Sequence, residues 1–340
     1  MKKVITFGEI MLRLMPPGYQ RFVQAEAFEA TYGGAEANVA VSLANFGMDS
    51  VFVTKLPGHE IGQAALNALR RYGVDTSKIV RGGERVGAYY LERGASQRAS
   101  KVIYDRKGSA IAEAEPGEFD WDMIFKDAGW FHFTGITPAL SDNAAVACLE
   151  ACKKAAEKGL KISCDLNYRK TLWGREKARE VMSGLMDFVD ICVLNEEDAA
   201  DVFSISARNT DVESGKLSRE GFTEVARIMA GRFSFDMVGV TLRSSKTAND
   251  NNWAAMFYDG EEVCFSEEYP VHVVDRVGGG DSFSAALIYA MMNDYKTQDA
   301  VDFAAASSCL KHSVEGDFNQ ISVQEAKTLM KGGGSGRVQR

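Results

Sequence analysis

Asp275-Arg276-Val277-Gly278-Gly279-Gly280-Asp281-Ser282-Phe283-Ser284-Ala285-Ala286-Leu287-Ile288-Tyr289-Ala290 carries the strongest local signal in the chain. An apolar run, Val271 to Val274, leads in, and a helical pattern of Phe283, Leu287, Ala290 and Met291 leads out. Three glycines at a helix entry remove Cβ atoms, so backbone N–H groups can close around a ligand. A helix start adds unpaired donors and a positive dipole end, which together bind anions. Asp281 falls in the first turn, where a carboxylate can reach a hydroxyl held over the same hole. The plainer reading, a glycine turn followed by an Asp cap, stays open at this point. Neither of the two best-known phosphate loops is present. A Rossmann fingerprint needs Gly where Phe283 stands, and no G-x-x-x-x-G-K-[ST] occurs.

The rest of the chain sets this turn in an α/β rhythm. Apolar strands are expected at Val4 to Phe7, Val51 to Thr54, Trp130 to Phe133, Lys161 to Asp165, Ile191 to Leu194 and Met237 to Thr241. Helical spacing falls between them: Val39, Ala40, Leu43 and Ala44, stopped by Gly47, then about 61–72, 142–158, 175–187 and 219–231. A hairpin across Asp259-Gly260 and three helices, 281–293, 298–313 and 322–331, complete it. Alternating strands and helices with short connections imply a parallel sheet covered on both faces. Two segments break the rhythm. Residues 10–32 are irregular and partly β, and 84–108 carry two strands, Val86 to Leu91 and Lys101 to Arg106, joined by a polar turn. They read as a small β lid inserted into one domain of residues 1–331, with 332–340 a disordered tail.

Composition narrows the function. A 340-residue chain with 46% hydrophobic and 25% charged residues suits a soluble globular protein. A net charge of −8 speaks against a nucleic-acid surface, though not against an anionic substrate met by a local arginine cluster. Six cysteines without a C-x-x-C pair and four scattered histidines speak against structural zinc. The opening MKKVITFGEI reads as a strand rather than a signal peptide, and no apolar run is long enough to span a membrane. A cytoplasmic protein with reduced thiols is expected.

In a parallel sheet, ligands gather at the carboxyl ends of the strands. Asp165-Leu166-Asn167-Tyr168-Arg169, Asn195-Glu196-Glu197-Asp198 and Thr241-Leu242-Arg243 each follow a strand, as Asp281 follows the last apolar run. Two segments together then resemble the paired signatures of the ribokinase-like (PfkB) carbohydrate kinases. They are Gly33-Gly34-Ala35-Glu36-Ala37-Asn38 and Asp275 through Gly278-Gly279-Gly280-Asp281. The opening Gly8-Glu9-Ile10-Met11-Leu12-Arg13, with Tyr104-x-Arg106 and Asn167-Tyr168-Arg169, looks most like the 2-keto-3-deoxygluconate kinases of that family. The resemblance runs from Ile5 to about Met330. It implies a three-layer sandwich with a mostly parallel central sheet, a small β lid, and phosphate transfer from MgATP to a sugar or sugar-acid hydroxyl.

Carried over residue by residue, the resemblance implies Asp281 as general base and Gly278, Gly279, Gly280 and Asp281 as the anion hole. It implies substrate contacts from Gly33, Gly34, Asn38, Tyr89, Tyr104, Arg106, Arg169 and Asp317. Strand alternation supports one pair independently, since positions 102, 104 and 106 share a face. Arginine's planar fork suits a carboxylate, which a neutral sugar lacks. For nucleotide the resemblance implies Asn195, Thr241, Arg243, Gly278 and Gly280, with Asp198 near Mg²⁺ through water. The sequence departs from the family at four places. Asp198 replaces Glu, Arg243 replaces a frequent glycine, Arg276-Val277 replace a Thr/Ser pattern, and Gly279 replaces Ala. The changes leave a monovalent-cation requirement open. Exposed lid edges are often covered by a second subunit, so a homo-oligomer is expected. A fructokinase-like neutral-sugar kinase and a non-catalytic sugar or nucleotide sensor are the rival readings; the intact Gly278–Asp281 turn speaks against the sensor.

Overall fold

The computed structural model describes residues 2–333 apart from 196, 209 and 211–216, so most of the expected tail lies outside the described residues. The first third contains β1 (Lys3–Phe7), β2 (Met11–Met15), β3 (Glu29–Gly33), α1 (Ala35–Asn45), β4 (Ser50–Val53) and β5 (Lys55–Leu56). It continues through α2 (Glu60–Arg70), β6 (Val80–Arg81), β7 (Gly87–Glu92) and β8 (Lys101–Asp105). The middle holds α3 (Trp121–Ile124), β9 (Ala128–Thr134), α4 (Asp142–Glu157), β10 (Lys161–Asp165), α5 (Arg175–Met186), β11 (Ile191–Leu194) and α6 (Asp198–Phe203). The last part runs α7 (Arg219–Phe233), β12 (Met237–Ser245), β13 (Asp250–Tyr258), β14 (Val263–Phe265) and β15 (Tyr269–His272). It ends with α8 (Gly279–Met292), α9 (Thr297–Lys311) and α10 (Val323–Met330).

The central sheet has the order β14-β13-β12-β11-β10-β9-β1-β4, with β15 paired to β13. Every pairing from β4 to β12 is parallel, and only β13, β14 and β15 are antiparallel. Its strands are apolar on both sides because both sides are covered. Ile5, Phe7, Phe131 and Phe133 pack into one core with α4, α5 and α7. Val4, Trp130, Ile191 and Val193 point the other way, into a core with α1, α8 and α9. This is the three-layer α/β architecture expected from the alternation. Helix α8 is mostly buried, which is why its sequence from Ala285 to Met292 is largely apolar.

A separate four-stranded sheet has the order β3-β2-β7-β8. Strand β3 was not individually legible, because most of its residues are exposed and it lacks an alternating apolar face. It forms against β2 in full antiparallel register, Met11 opposite Gly33 through Met15 opposite Glu29. The hairpin of β12 and β13 is also longer than its apolar residues suggest, running out to Ser245 opposite Asn251. Helix α8 starts at Gly279, two residues earlier than expected, because Gly278 takes a left-handed φ of +83° as its cap. Among the described residues, no helix is long and apolar enough to cross a membrane.

Candidate active site

The carboxyl ends of β9 to β12, the start of α8 and the inner face of the small sheet enclose one cavity of about 430 Å³. That size suits a small ligand. The glycines of the turn differ in their reasons. A Cβ on Gly278 would sit 2.1 Å from the Asp317 carbonyl oxygen, and one on Gly279 would meet the His312 ring at 2.6 Å. Gly280 has open space on that side and lines the cavity. Ser308 Oγ donates to the Gly279 carbonyl at 2.7 Å and fixes the turn against α9.

Asp281 is nine-tenths buried, and its Oδ2 accepts from Asn38 Nδ2 at 2.7 Å. Burial pushes its carboxyl up to about 7, with the Asn38 hydrogen bond opposing and the charges of Glu36 and Asp317 assisting the rise. A carboxylate poised there can take a proton near neutrality. Asn38 itself is placed by Glu36, two residues before it. Glu36 Oε1 accepts from the Thr134 N–H and from the Thr134 and Thr137 hydroxyls, which bolts the start of α1 to the end of β9.

The small sheet supplies the opposite wall. Tyr89, Val102, Tyr104 and Arg106 all line the cavity, so the alternation does put 102, 104 and 106 on one face. The Arg106 guanidinium lies 4.3 Å over the Tyr104 ring, and its Nε is 3.3 Å from Glu9 Oε2. Among the described residues, its buried Nη1 has no hydrogen-bond partner. Arg169 reaches the same cavity from the loop after β10, where Asn167 takes a φ of +38°. Asp165 lines it too, its carboxyl pushed well up by burial and by the nearby charges of Asp198 and Asp281.

Asp317 is buried, with the Tyr89 hydroxyl 2.7 Å from both of its carboxylate oxygens. Gly33 does not line the cavity. Its missing Cβ makes room for the Asp317 carboxylate, which would lie 1.9 Å away. Gly34 does line it, with the Glu9 carbonyl crowding its other side.

On the far side Asn195, Glu197, Thr241 and Arg243 line the cavity together with Gly278 and Gly280. Asp198 is not among them. Its Oδ1 accepts from the Tyr168 N–H at 3.1 Å and its Oδ2 from the Asn195 N–H at 3.0 Å. One methylene shorter than glutamate, it clamps two loops together instead of facing the cavity. Sequence reasoning also missed Glu9 and Arg13. Arg13 is fully buried and bridges Asp275 and Asp317, at 2.5 and 2.7 Å. The signal was a charge on the inward face of the alternating run Met11-Leu12-Arg13-Leu14-Met15.

The family profile "pfkB family carbohydrate kinase" matches residues 1–226 and 251–322. A curated relative, 2-dehydro-3-deoxygalactonokinase of Haloferax volcanii, is 32% identical over 98% of both chains. The crystal structure of 2-dehydro-3-deoxygluconokinase from Thermotoga maritima is 48% identical over 97% of this chain and 100% of that one, with a TM-score of 0.94. Fructokinase-1 of Oryza sativa subsp. japonica is 28% identical over 96% of this chain and 97% of its own length. With both signature segments meeting at one cavity and a profile matched over most of its length, the chain belongs to the pfkB family of carbohydrate kinases.

Proposed function

We propose that this kinase moves the γ-phosphoryl group of MgATP to the terminal hydroxyl of 2-keto-3-deoxygluconate or its galactonate epimer. The observation that carries the sugar-acid reading is Arg106: buried, stacked on Tyr104, and with an unpartnered Nη1 in a cavity that Arg169 also lines. A buried donor without a partner is costly, and a substrate carboxylate supplies the partner a neutral sugar lacks. The relatives named for 2-dehydro-3-deoxy sugar acids support the same choice.

Asp281 accepts the hydroxyl proton as the substrate oxygen bonds to phosphorus and the bond to ADP breaks. The N–H groups at 278–281 hold the charge on the transferring group. A helix dipole is worth only about 0.3–1 kcal/mol, or ~2 when partly buried, against barrier reductions of roughly 8–23 kcal/mol. Positioning and exclusion of water must therefore carry much of the effect, and we assign the second task to the small sheet acting as a lid. Asn195, Thr241 and Arg243 are assigned to the nucleotide. Among the described residues, no group of three or more acidic, His or Cys side chains could hold a metal. Glu197 and Asp165, which line the cavity, would hold Mg²⁺ together with the phosphates of the nucleotide. Bound there, the ion neutralises charge on the phosphates.

Coupled ADP release with MgATP tests the substrate, using the two sugar-acid epimers and fructose. Turnover is expected with a sugar acid, and Arg106→Ala and Arg169→Ala should each raise its KM by about 30-fold or more. Preference for fructose, unaffected by either change, would move the reading to a neutral-sugar kinase. ATP binding without turnover on any of them would favour a sensor. We also assign the protein to the cytoplasm and to a homo-oligomer formed through β8. That strand is an edge of the small sheet and exposes Val102 and Ile103. Sedimentation equilibrium should give a dimer or larger, and Ile103→Lys should shift it toward monomer.

A further inference from the structure

Lys311 ends α9 with its side chain fully buried, and none of the roles above uses it. Its ammonium donates to the Val314 carbonyl at 3.2 Å and the Gly316 carbonyl at 2.8 Å. Among the described residues no carboxylate forms a salt bridge with it. The side chain instead passes behind the anion-binding turn, where a Cβ on Gly278 would come within 3.1 Å of its Cε. Around it lie Arg13, Asp275 and Asp317. Asp275 accepts from Arg13, from the Val277 N–H at 3.2 Å and from the Gly316 N–H at 3.1 Å. Arg13 supplies one positive charge against two carboxylates, and Lys311 supplies the second. Burial pushes the Lys311 ammonium down, while Asp275 and Asp317 oppose the fall.

A cation on converging backbone carbonyls, with carboxylates nearby, is also the environment that takes a K⁺-sized ion. We propose that Lys311 is a built-in cation that neutralises the buried cluster behind Gly278 and holds the 314–317 loop, so that this enzyme works without a bound monovalent metal ion. It is a positioning residue: it touches neither substrate nor nucleotide. Without it, an uncompensated carboxylate would stand behind a turn that must receive a phosphate. The inference rests on the kinase reading above.

The test is turnover of the full chain with MgATP and the preferred sugar, with choline as the only other cation and then with K⁺ or ammonium added. Wild type should show the same rate in all three. Lys311→Met should lose roughly 100-fold in choline, comparable to removing a donor from an oxyanion hole. Lys311→Ala, which opens space for an ion, should lose as much and recover with K⁺ or ammonium but not with choline. Packing loss alone would not give that selectivity. Wild-type turnover that requires K⁺ would overturn the inference while leaving the kinase reading intact. So would a folded Lys311→Ala, by circular dichroism, that stays fully active in choline or that no small cation restores. Wild type inert towards sugar acids and neutral sugars alike would overturn the kinase reading, and this inference with it.

Discussion

Asp281→Asn should all but abolish turnover and, at the same time, make the folded protein more stable at alkaline pH. The first effect follows from removing the group that takes the hydroxyl proton, a loss of about 10²–10⁴-fold, with ATP binding retained. The second follows from burial. The carboxyl sits at about 7 in the fold against 3.8 ordinarily. Between those values the native state binds the extra proton, so the group costs nothing at pH below about 4. Its destabilising effect grows as pH rises and is complete once pH passes the folded value. At 1.4 kcal/mol per unit, the ceiling is about 4 kcal/mol, and relaxation around the charge should leave about 1–2 kcal/mol. Asparagine carries no charge, so thermal melts should show the variant gaining over wild type at pH 8.5 and hardly at all at pH 4.5. The wild-type kcat/KM should rise with pH along a limb centred near 7. His312, beside the turn, is pushed down to about 4 by burial and does not account for such a limb. An Asp281→Asn enzyme with a tenth of normal turnover would remove Asp281 as the base. One that melts lower at pH 8.5 would remove the burial argument.

The layered fold was legible because periodicity reports which faces are covered. Val4 and Ile5 point to opposite cores, and a strand buried on both sides has to be apolar throughout. The turn at 278–281 was legible because few residues can replace glycine where a Cβ would strike the Asp317 backbone or the His312 ring. Less legible were pairings between distant segments. Nothing local in Glu9 announces Arg106, and nothing in Gly33 announces the carboxylate of Asp317. Those contacts depend on how the small sheet sits over the large one, and sequence spacing does not encode that. The segment after β11 shows the opposite failure. Asp198 carried the expected chemistry at the expected place, but two backbone N–H groups take up its oxygens.

Arg13→Met should be the most damaging single change to stability, because it leaves Lys311 alone to offset two buried carboxylates. Nη2 and Nη1 reach Asp275 and Asp317, and both side chains are as buried as the arginine. Burial works against the guanidinium charge, and the two carboxylates outweigh it and hold the group charged. Breaking a buried pair from one side typically costs about 3–5 kcal/mol, since the charge left behind has no partner. Urea unfolding should place Arg13→Met in that range, with an unchanged denaturant slope if the native fold is kept. Removing the stranded charges should undo much of the damage, because a buried ionic cluster and a neutral replacement of similar volume are often nearly equal in stability. Arg13→Met combined with Asp275→Asn and Asp317→Asn should therefore recover part of the stability, with Lys311 then the charge left buried in the cluster. It should not recover the activity. Arg13 stands on β2 of the small sheet, whereas Asp275 precedes the glycine turn and Asp317 receives the Tyr89 hydroxyl. The triad thus fixes one wall of the cavity to the other. A triple variant that is stable yet inactive would assign the ion pairs to alignment. A single variant costing under about 1 kcal/mol would show that the cluster is solvated and that the two walls are joined by other contacts.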